Sequence, residues 1–478
     1  MSLTAECGWT LLRALVVGTL ALALAYPLCA LIANSRRGWR RAAWVLLLVP
    51  YLMPVVLVGY AYSNFALSLV HHPFLNELFY GVLLTVKLCP VAAVVVYFAP
   101  SGLSREGIYC RRLLLAGKKK GDSIRERLSF FAHGPARKAL VAFAVVFLFA
   151  FAEFEMASLF STTAWTVSLF DAQTGGLPLS QSLRLASLPI ACEAVLLLLV
   201  MTVLFAASRA ARLNPERPKP PRPWARALSW LYLVFAVMLA AVVPTGIVLK
   251  GGVLALVVVK DNPAFAQDIG TSMIFAGVAA LVAYLAAGWF SRRSGEGSPT
   301  MGRLLWAFLL SVPGLFGALL LGLVVLRVFL TVPLRAAYDT PLPLVITLML
   351  LLFPFAVLLR VLLHAFGPGE SVHAARLMVR SPEARIRRSG KALVWHMRTR
   401  ARVWVLILLF CWGYFEVVAS ALLAPSGMTP AFVRLYNLMH YGQITGLSAM
   451  VLVTLFVPIV LLWFAEIARG FVRLRSYG

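Results

Sequence analysis

The residues with the clearest chemical potential are four glutamates inside long apolar runs, Glu153, Glu155, Glu193 and Glu416, together with Lys87. A charge at the centre of a bilayer costs about 2.5–3.5 kcal/mol, so such groups usually face a bundle interior or a wet cavity. We predict that Glu153, Glu155 and Glu416 line a pathway through the protein, while Glu193 and Lys87 form a structural ion pair. The other interpretation is that these glutamates tie helix ends to their neighbours.

The chain carries no arrangement of residues typical of a catalytic or metal site. No HExxH pattern occurs, and the run Gly117–Ser123 lacks the Lys-Ser/Thr pair that completes a phosphate-binding loop. The histidines do not cluster beyond His71 and His72, and the six cysteines are scattered singly. The sequence therefore predicts no catalytic residue, no bound cofactor and no metal.

Composition places these glutamates in a membrane protein. Of the 478 residues, 61% are hydrophobic and 13% are charged, whereas about 25% are charged in ordinary soluble domains. Apolar runs of roughly 20 residues recur, and each is long enough to cross the hydrocarbon layer as a helix. We predict an all-α, polytopic membrane protein.

Eleven runs are candidate transmembrane helices. They lie near residues 9–33, 43–69, 80–99, 139–160, 184–207, 227–249, 268–290, 304–330, 341–364, 402–424 and 445–469.

The connections between these runs alternate in charge. Most Lys and Arg residues lie in the connections near 34–42, 100–138, 208–226, 291–303 and 365–402 and at the C-terminal end. By the positive-inside rule these segments are cytoplasmic, including the C-terminus. The net charge of +26 therefore records orientation in the bilayer and not binding to nucleic acid. An odd number of spans puts the N-terminus outside, or else a twelfth helix is missing from the chain.

Rare residues recur in order and indicate an internal duplication. The matched pairs are Ala25-Tyr26 with Ala283-Tyr284, Pro90 with Pro354, and Phe154-Glu155 with Phe415-Glu416. We predict two parallel repeats, residues 1–212 with five helices and 227–478 with six. A proline-rich, basic cytoplasmic linker, 213–226, joins them and suits an extended tether.

In each half a long basic segment joins the third and fourth helices. In the second copy, 371–400, apolar residues spaced among arginines predict short helices, with a helix start at Ser381-Pro382-Glu383. The first copy, 109–138, is similar in length and more basic. Such segments are far longer than a chain reversal needs, so we expect each to form a structure of its own.

The stretch His373 to Pro382 resembles the cytoplasmic "EAA" loop of ABC importer permeases, and Arg111 to Gly117 is its counterpart in the first half. The family has Glu where this chain has His373 and Arg111. In the family these loops dock on an ATP-hydrolysing subunit. The resemblance assigns ATPase coupling to Arg111, Arg112, Leu113, Gly117, His373, Ala374, Ala375, Val379 and Ser381.

Over most of its length the chain resembles the fused two-permease subunits that serve iron(III), thiamine, polyamine and phosphonate importers. The resemblance implies two parallel permease halves in a bacterial inner membrane and transport of a small solute. It also implies two copies of a separate ABC ATPase subunit, which binds the ATP, so that this chain is not itself an enzyme. A solute-binding protein would meet the outer loops 161–183 and 425–444.

Two alternatives remain open. An ion-coupled secondary transporter would use the intramembrane carboxylates to carry protons and would need no ATPase. A non-transporting assembly subunit would explain why both EAA-like loops depart from the family pattern.

Overall fold

The computed structural model describes most of the chain. The described residues are 3–69, 71–98, 109–110, 113, 135–210, 220–251, 257, 262–291, 301–366, 369–395, 397, 400–443, 445–455, 457 and 460. Within these ranges every regular element is a helix. The predicted all-α, polytopic fold class is therefore confirmed, without the number of membrane spans.

The chain divides into two compact units, unit 1 (Met1–Val248) and unit 2 (Leu249–Gly478). The α-helices of unit 1 are α1 (Leu3–Asn34), α2 (Arg37–Leu52), α3 (Val55–Ser68), α4 (Pro73–Phe98), α5 (Pro135–Phe151), α6 (Glu155–Leu159), α7 (Trp165–Thr174), α8 (Leu179–Ala210), α9 (Pro223–Val237) and α10 (Val243–Val248). A π-helical segment, Met238–Val242, joins α9 to α10.

Unit 2 is also built of long, interrupted and short helices. Its α-helices are α11 (Ala264–Ser291), α12 (Met301–Ser311), α13 (Gly317–Phe329), α14 (Leu342–Phe366), α15 (Gly369–Val379), α16 (Ala384–Val394), α17 (Arg400–Tyr414), α18 (Val418–Leu423), α19 (Ala431–His440) and α20 (Thr445–Leu455). Short 3-10 helices lie at Leu249–Gly251, Val312–Phe316 and Arg335–Ala337.

Seven helices in the described ranges are long and apolar enough to cross a membrane. The pair α2 and α3 is an eighth candidate, bent by 71°. Three shorter apolar helices, Lys138–Phe151, Arg402–Tyr414 and Thr445–Leu455, lie in the remaining predicted runs. All of these helices overlap the eleven predicted runs, but the count of eleven membrane spans stays a prediction.

Within the described residues, three predicted runs are interrupted by non-helical residues, and a fourth, 304–330, passes through the 3-10 helix Val312–Phe316 between α12 and α13. The run 43–69 bends because Pro54 forces Met53 into an extended conformation, with φ −69° and ψ 132°. In the run 139–160 the helix stops after Phe151 and resumes a few residues later as α6. In the run 402–424 it stops after Tyr414 and resumes a few residues later as α18. A Glu residue lies in each of these two breaks.

The core of each unit forms around its first long helix. In unit 1, α1 packs against α4 and α5, and in unit 2, α11 packs against α14 and α17. Both first helices bury a stripe of small residues at helical spacing, which lets helices approach closely in a membrane. The fully buried alanines of the two stripes are Ala14, Ala21, Ala25, Ala276, Ala279, Ala283 and Ala287.

The helix that follows the predicted linker packs within unit 1. Its α9 segment contacts α2 and α1, and α10 contacts α3. α9 begins at Pro223, so the last four residues of the predicted linker, 223–226, are helical and not extended. Proline is favoured as the first residue of a helix because its missing N–H would have no partner there. The repeat boundaries at 212 and 227 stay predictions, because packing and duplication are different criteria.

Candidate functional site

The break between α5 and α6 is capped by the side chain of Glu153. Its Oε1 accepts the N–H of Met156 at 2.6 Å, and its Oε2 accepts the N–H of Ala157 at 3.1 Å. These amides belong to the first turn of α6, where no backbone carbonyl of the helix can reach them. The carboxyl group therefore makes a break tolerable inside an apolar run.

The break between α17 and α18 is capped in the same way by Glu416. Its carboxyl oxygens accept the N–H groups of Val418 at 3.0 Å, Ala419 at 3.0 Å and Ser420 at 3.2 Å. Each capping glutamate lies two residues before the first residue of the helix it caps. The two breaks are thus built on one local design.

This geometry corrects the pairing expected from the sequence. The motif match set Phe154-Glu155 against Phe415-Glu416, but the counterpart of Glu416 in the structure is Glu153. Glu155 is instead the first residue of α6 and is half-buried. The sequence match was misleading because Phe154-Glu155 follows directly after Ala152-Glu153, whose glutamate is the cap. A role of Glu153, Glu155 or Glu416 in a pathway stays a prediction.

In unit 1 the capping glutamate belongs to a network of charged and polar groups. The hydroxyl of Tyr80 on α4 donates to Glu153 at 2.5 Å. The guanidinium of Arg13 on α1 lies 4.9 Å from the centre of the Tyr80 ring and forms an ion pair with Glu77. Arg13 also donates to the carbonyl of Thr163 at 2.6 Å. Arg13 is buried, and its partner Glu77 pairs with it inside the bundle.

Lys87 satisfies the bend between α2 and α3. Its Nζ donates to the carbonyls of Met53 at 2.5 Å and Pro50 at 3.3 Å. The Pro50 carbonyl would normally accept from the amide four residues later, but Pro54 has no N–H. Only 4% of Lys87 is exposed. The predicted ion pair between Lys87 and Glu193 is therefore wrong.

Glu193 lies near the middle of α8 and is buried, with 1% of its surface exposed. Neither carboxyl oxygen has a hydrogen-bond partner among the residues that the structure describes. Its electrostatic neighbours include Cys7 of α1. Because an isolated carboxylate is very costly in an apolar environment, this group is favoured in its neutral, protonated form.

The predicted coupling loop of the second half is a hairpin of two short helices, α15 and α16. Ala375 is 1% exposed, and a Cβ placed on Gly390 would lie 2.9 Å from its carbonyl oxygen and 2.7 Å from the amide nitrogen of Val379. The helices therefore touch through their backbones. The predicted short helices and the start after Ser381 are confirmed.

The surface of this hairpin presents several of the predicted coupling residues. His373 and Ala374 are exposed, whereas Val379 and Ser381 are partly buried. In the first half, Arg111, Arg112 and Gly117 lie outside the described residues. Leu113 is described and exposed.

Each predicted outer loop contains a short helix fastened to the first long helix of its unit. The amide of Trp165, which begins α7, donates to the hydroxyl of Thr10 at 3.2 Å. The amide of Ala431, which begins α19, donates to the hydroxyl of Ser272 at 2.6 Å. In unit 2, Arg434 also pairs with Asp268 at 2.9 Å. These loops are therefore ordered parts of each unit.

Sequence reasoning missed three residues that shape the site: Tyr80, Glu77 and Gly390. Tyr80 and Glu77 share a face of α4, at i and i+3, and that spacing could have identified them. Gly390 has no such signal, because glycine in a basic, exposed helix looks the same whether or not another backbone approaches it.

Among the described residues no three His, Cys, Asp or Glu side chains come together as a metal site. The described regions do contain two capped helix breaks inside apolar runs and a tight hairpin of two short helices. No protein-family model and no curated protein matches this chain.

Proposed function

We propose that the chain is the membrane permease subunit of an ABC importer in a bacterial inner membrane, with its C-terminus in the cytoplasm. It would move a small solute while two copies of a separate ABC ATPase subunit hydrolyse ATP. A solute-binding protein would deliver the solute to the loops at 161–183 and 425–444. The observation that carries this proposal is the α15–α16 hairpin. Two short helices in backbone contact transmit a displacement that a flexible loop would absorb.

The likeness between the units supports two parallel repeats. Each unit contains a long helix, a bent or interrupted pair, a second long helix with a mid-helix proline, and a helix broken at a capping glutamate. The eleven-span count and the repeat boundaries at 212 and 227 belong to this proposal. In a permease, paired breaks of this kind give each half a point at which a helix can change direction as the pathway opens.

The docking surface is tested by Ala374→Glu in the full chain. Ala374 is exposed on α15, so the substitution adds a negative charge without filling the hairpin. We expect a co-purifying ATPase to be lost, as measured by ATPase activity of the affinity-purified complex. Ala336→Glu is the matched control, because Ala336 is exposed in the short helix at the opposite end of α14. Equal loss in both variants would refute docking at Ala374.

The rigidity of the hairpin is tested by Gly390→Ala. The added methyl group would meet backbone atoms within 3 Å, so the two helices must separate. We expect ATP-driven uptake to fall while the protein still inserts in the membrane. Gly277→Ala is the control, since a Cβ at this position in α11 meets no atom within 4 Å. Normal uptake by Gly390→Ala would show that rigid coupling is not required.

The pathway is tested by Glu416→Gln. The amide keeps an oxygen that accepts backbone N–H groups, but it removes the negative charge. We expect solute uptake to decrease while membrane insertion and ATPase co-purification stay normal. Unchanged uptake would remove Glu416 from the pathway and leave it as a helix cap.

One observation favours the ion-coupled alternative: the buried carboxyl group of Glu193 has no hydrogen-bond partner among the described residues. A group of this kind can carry a proton if the protein exposes it to each side in turn. In vesicles that contain only the purified chain, this function predicts solute uptake driven by a pH gradient without ATP, and loss of that uptake in Glu193→Gln. ATP-dependent uptake that is insensitive to the gradient would exclude it.

A further inference from the structure

A second functional surface lies where α2 and α9 begin, in unit 1. Six arginines cluster on these two helix starts, and all six are exposed. They are Arg36, Arg37, Arg40, Arg41, Arg222 and Arg226. The stretches 34–52 and 220–237 contain no Asp or Glu. Among the described residues none of the six arginines takes part in a salt bridge. We call this cluster the arginine patch.

The two helices that carry the arginine patch are held together by aromatic packing. The rings of Trp39 and Trp230 meet edge to face, with their centres 5.5 Å apart. This is a favoured aromatic geometry. The positive charges on α2 and α9 are therefore kept side by side despite their mutual repulsion. A surface of like charge that packing holds together, with no acidic partner among the described residues, is suited to an anionic ligand.

Along α2 and α9, the exposed residues change from charged to aromatic to apolar. This is the order of polarity from the headgroups to the acyl chains of one bilayer leaflet. Trp39 and Trp224 are each 64% exposed at the level of the charges. Further along α9, an exposed apolar row continues on the same helix face as Trp224, at spacings of three and four residues. This row consists of Leu228, Leu231 and Phe235, and Val45 is exposed at the corresponding depth on α2.

We propose that the arginine patch and the apolar row beneath it form a binding site for an anionic phospholipid of the adjacent leaflet. Arginine binds phosphate through paired hydrogen bonds, and tryptophan favours the headgroup level. The acyl chains would lie along Leu228, Leu231 and Phe235. A free phosphate or another water-soluble anion would leave that row uncovered, whereas a lipid matches both the charge and the apolar surface.

The site has a structural consequence beyond simple attachment to the membrane. α9 continues into the π-helical segment, where the hydroxyl of Tyr62 on α3 donates to the carbonyl of Leu239 at 2.8 Å. α2 leads into the 71° bend before α3. A headgroup that bridges the starts of α2 and α9 therefore restrains α2, which leads into the bend, and α9, whose π-helical continuation is hydrogen-bonded to α3. This binding does not depend on which transport reaction the chain performs.

The test uses the full chain in detergent, with lipid binding measured by native mass spectrometry. Phosphatidylglycerol is the probe, and phosphatidylcholine is the uncharged reference. We expect tight binding of phosphatidylglycerol alone. Replacing Arg40, Arg41, Arg222 and Arg226 with Gln should weaken it by at least 20-fold, since each basic residue near a membrane surface contributes about fivefold in affinity.

The control makes the same change of charge on the α15–α16 hairpin, with Arg376, Arg380, Arg385 and Arg387 replaced by Gln. These side chains are also exposed, so both variants are expected to fold. Binding within twofold of the parent in the control would support a localised site. Equal weakening in both variants would show only a generally basic surface and overturn the proposal. Competition by inorganic phosphate as effective as competition by the lipid would also overturn it, because the ligand would then be the free anion.

Discussion

The broken helix of unit 1 and that of unit 2 have the same cap but different surroundings. In unit 1, the capping Glu153 is hydrogen-bonded to Tyr80, which lies under the ion-paired Arg13. In unit 2, the capping Glu416 accepts backbone amides only, among the described residues. The same glutamate cap therefore lies in a polar environment in unit 1 and in an apolar one in unit 2.

The contrast continues along the second long helix of each unit. Pro90 of α4 and Pro354 of α14 lie 264 residues apart, and the same spacing makes Leu344 the counterpart of Tyr80 and Leu351 that of Lys87. Tyr80 and Leu344 are equally buried, so the position is a core position in both units. Polar side chains in unit 1 are thus replaced by leucines in unit 2.

Aromatic rings pack beside the break in both units, and in unit 1 the ring of Phe151 lies against that of Trp165. The ring of Phe432 on α19 contacts those of Tyr414 and Phe415 beside the break, with centres 5.6 Å and 5.1 Å away. Buried ion pairs often add little net stability compared with good apolar packing, because their desolvation is costly. The comparison teaches that the break itself needs only the glutamate cap, and that the charges of unit 1 serve a further purpose or are replaceable.

The largest effect is expected from breaking the ion pair of unit 1. Arg13→Met should lower the free energy of unfolding by about 3 kcal/mol, because it leaves Glu77 inside the bundle without its partner. Glu77→Leu should cost about as much by leaving Arg13 unpaired. The measurement is SDS-induced unfolding of the purified protein in mixed micelles.

The double variant Arg13→Met with Glu77→Leu sharpens the comparison, because it gives unit 1 the apolar character that unit 2 has. We expect it to be more stable than either single variant. If instead the two losses simply add, the residues do not act as a pair, and the charged network is not the feature that distinguishes the units.

Removing either cap should have the next largest effect. Glu153→Ala and Glu416→Ala each leave buried amides of a first helical turn without an acceptor, so we expect a loss of about 2 kcal/mol in each. The loss should be somewhat greater for Glu153, because the Tyr80 hydroxyl also loses its partner. The matched Gln variants, which keep an acceptor oxygen, should lose less. A negligible loss on removing Glu416 would mean that aromatic packing alone holds the break of unit 2.

The sequence predicted the helices well and the breaks poorly, and the reason is physical. Apolar runs long enough to span a bilayer identify helices because no other open structure satisfies backbone groups there. Pro54 is a signal for the bend in the sequence, because a proline disfavours the helical conformation in the residue before it. The break after Phe151 has no such marker. This break depends on two backbone amides that donate to Glu153. In the sequence alone, Glu155 is an equally good candidate for the acceptor.

The partners of buried charges were equally hard to predict. Lys87 was expected to pair with the acid Glu193, but it binds two backbone carbonyls that no side-chain pattern records. Arg13 and Glu77 lie 64 residues apart, on different helices. Only the packing of α1 against α4 brings them together.

A smaller effect is expected from Tyr80→Phe, which removes one hydrogen bond and leaves the cap in place. We expect a loss of about 1 kcal/mol in the free energy of unfolding. Tyr414→Phe in unit 2 is the matched control. Its hydroxyl donates to the Thr454 carbonyl across 3.5 Å, which is too long for a strong hydrogen bond. Equal losses would show that the tyrosine of unit 1 contributes by packing and not by its contact with Glu153.

The smallest change in stability is expected from Lys87→Leu, which gives unit 1 the residue type found at Leu351. Two effects oppose each other: the carbonyls of Pro50 and Met53 lose a donor, but a costly buried charge is also removed. We expect a net change below about 1 kcal/mol. In Lys87→Leu the Pro50 carbonyl has no donor among the described residues, because Pro54 has no N–H, so we expect the bend to stay. Adding Pro54→Ala restores an amide that can donate to the Pro50 carbonyl and straighten α2 into α3. Spin-label distances across the bend should therefore lengthen in the double variant and change little in Lys87→Leu alone. If Lys87→Leu straightens the helix by itself, the bend is maintained by the lysine and not by the proline.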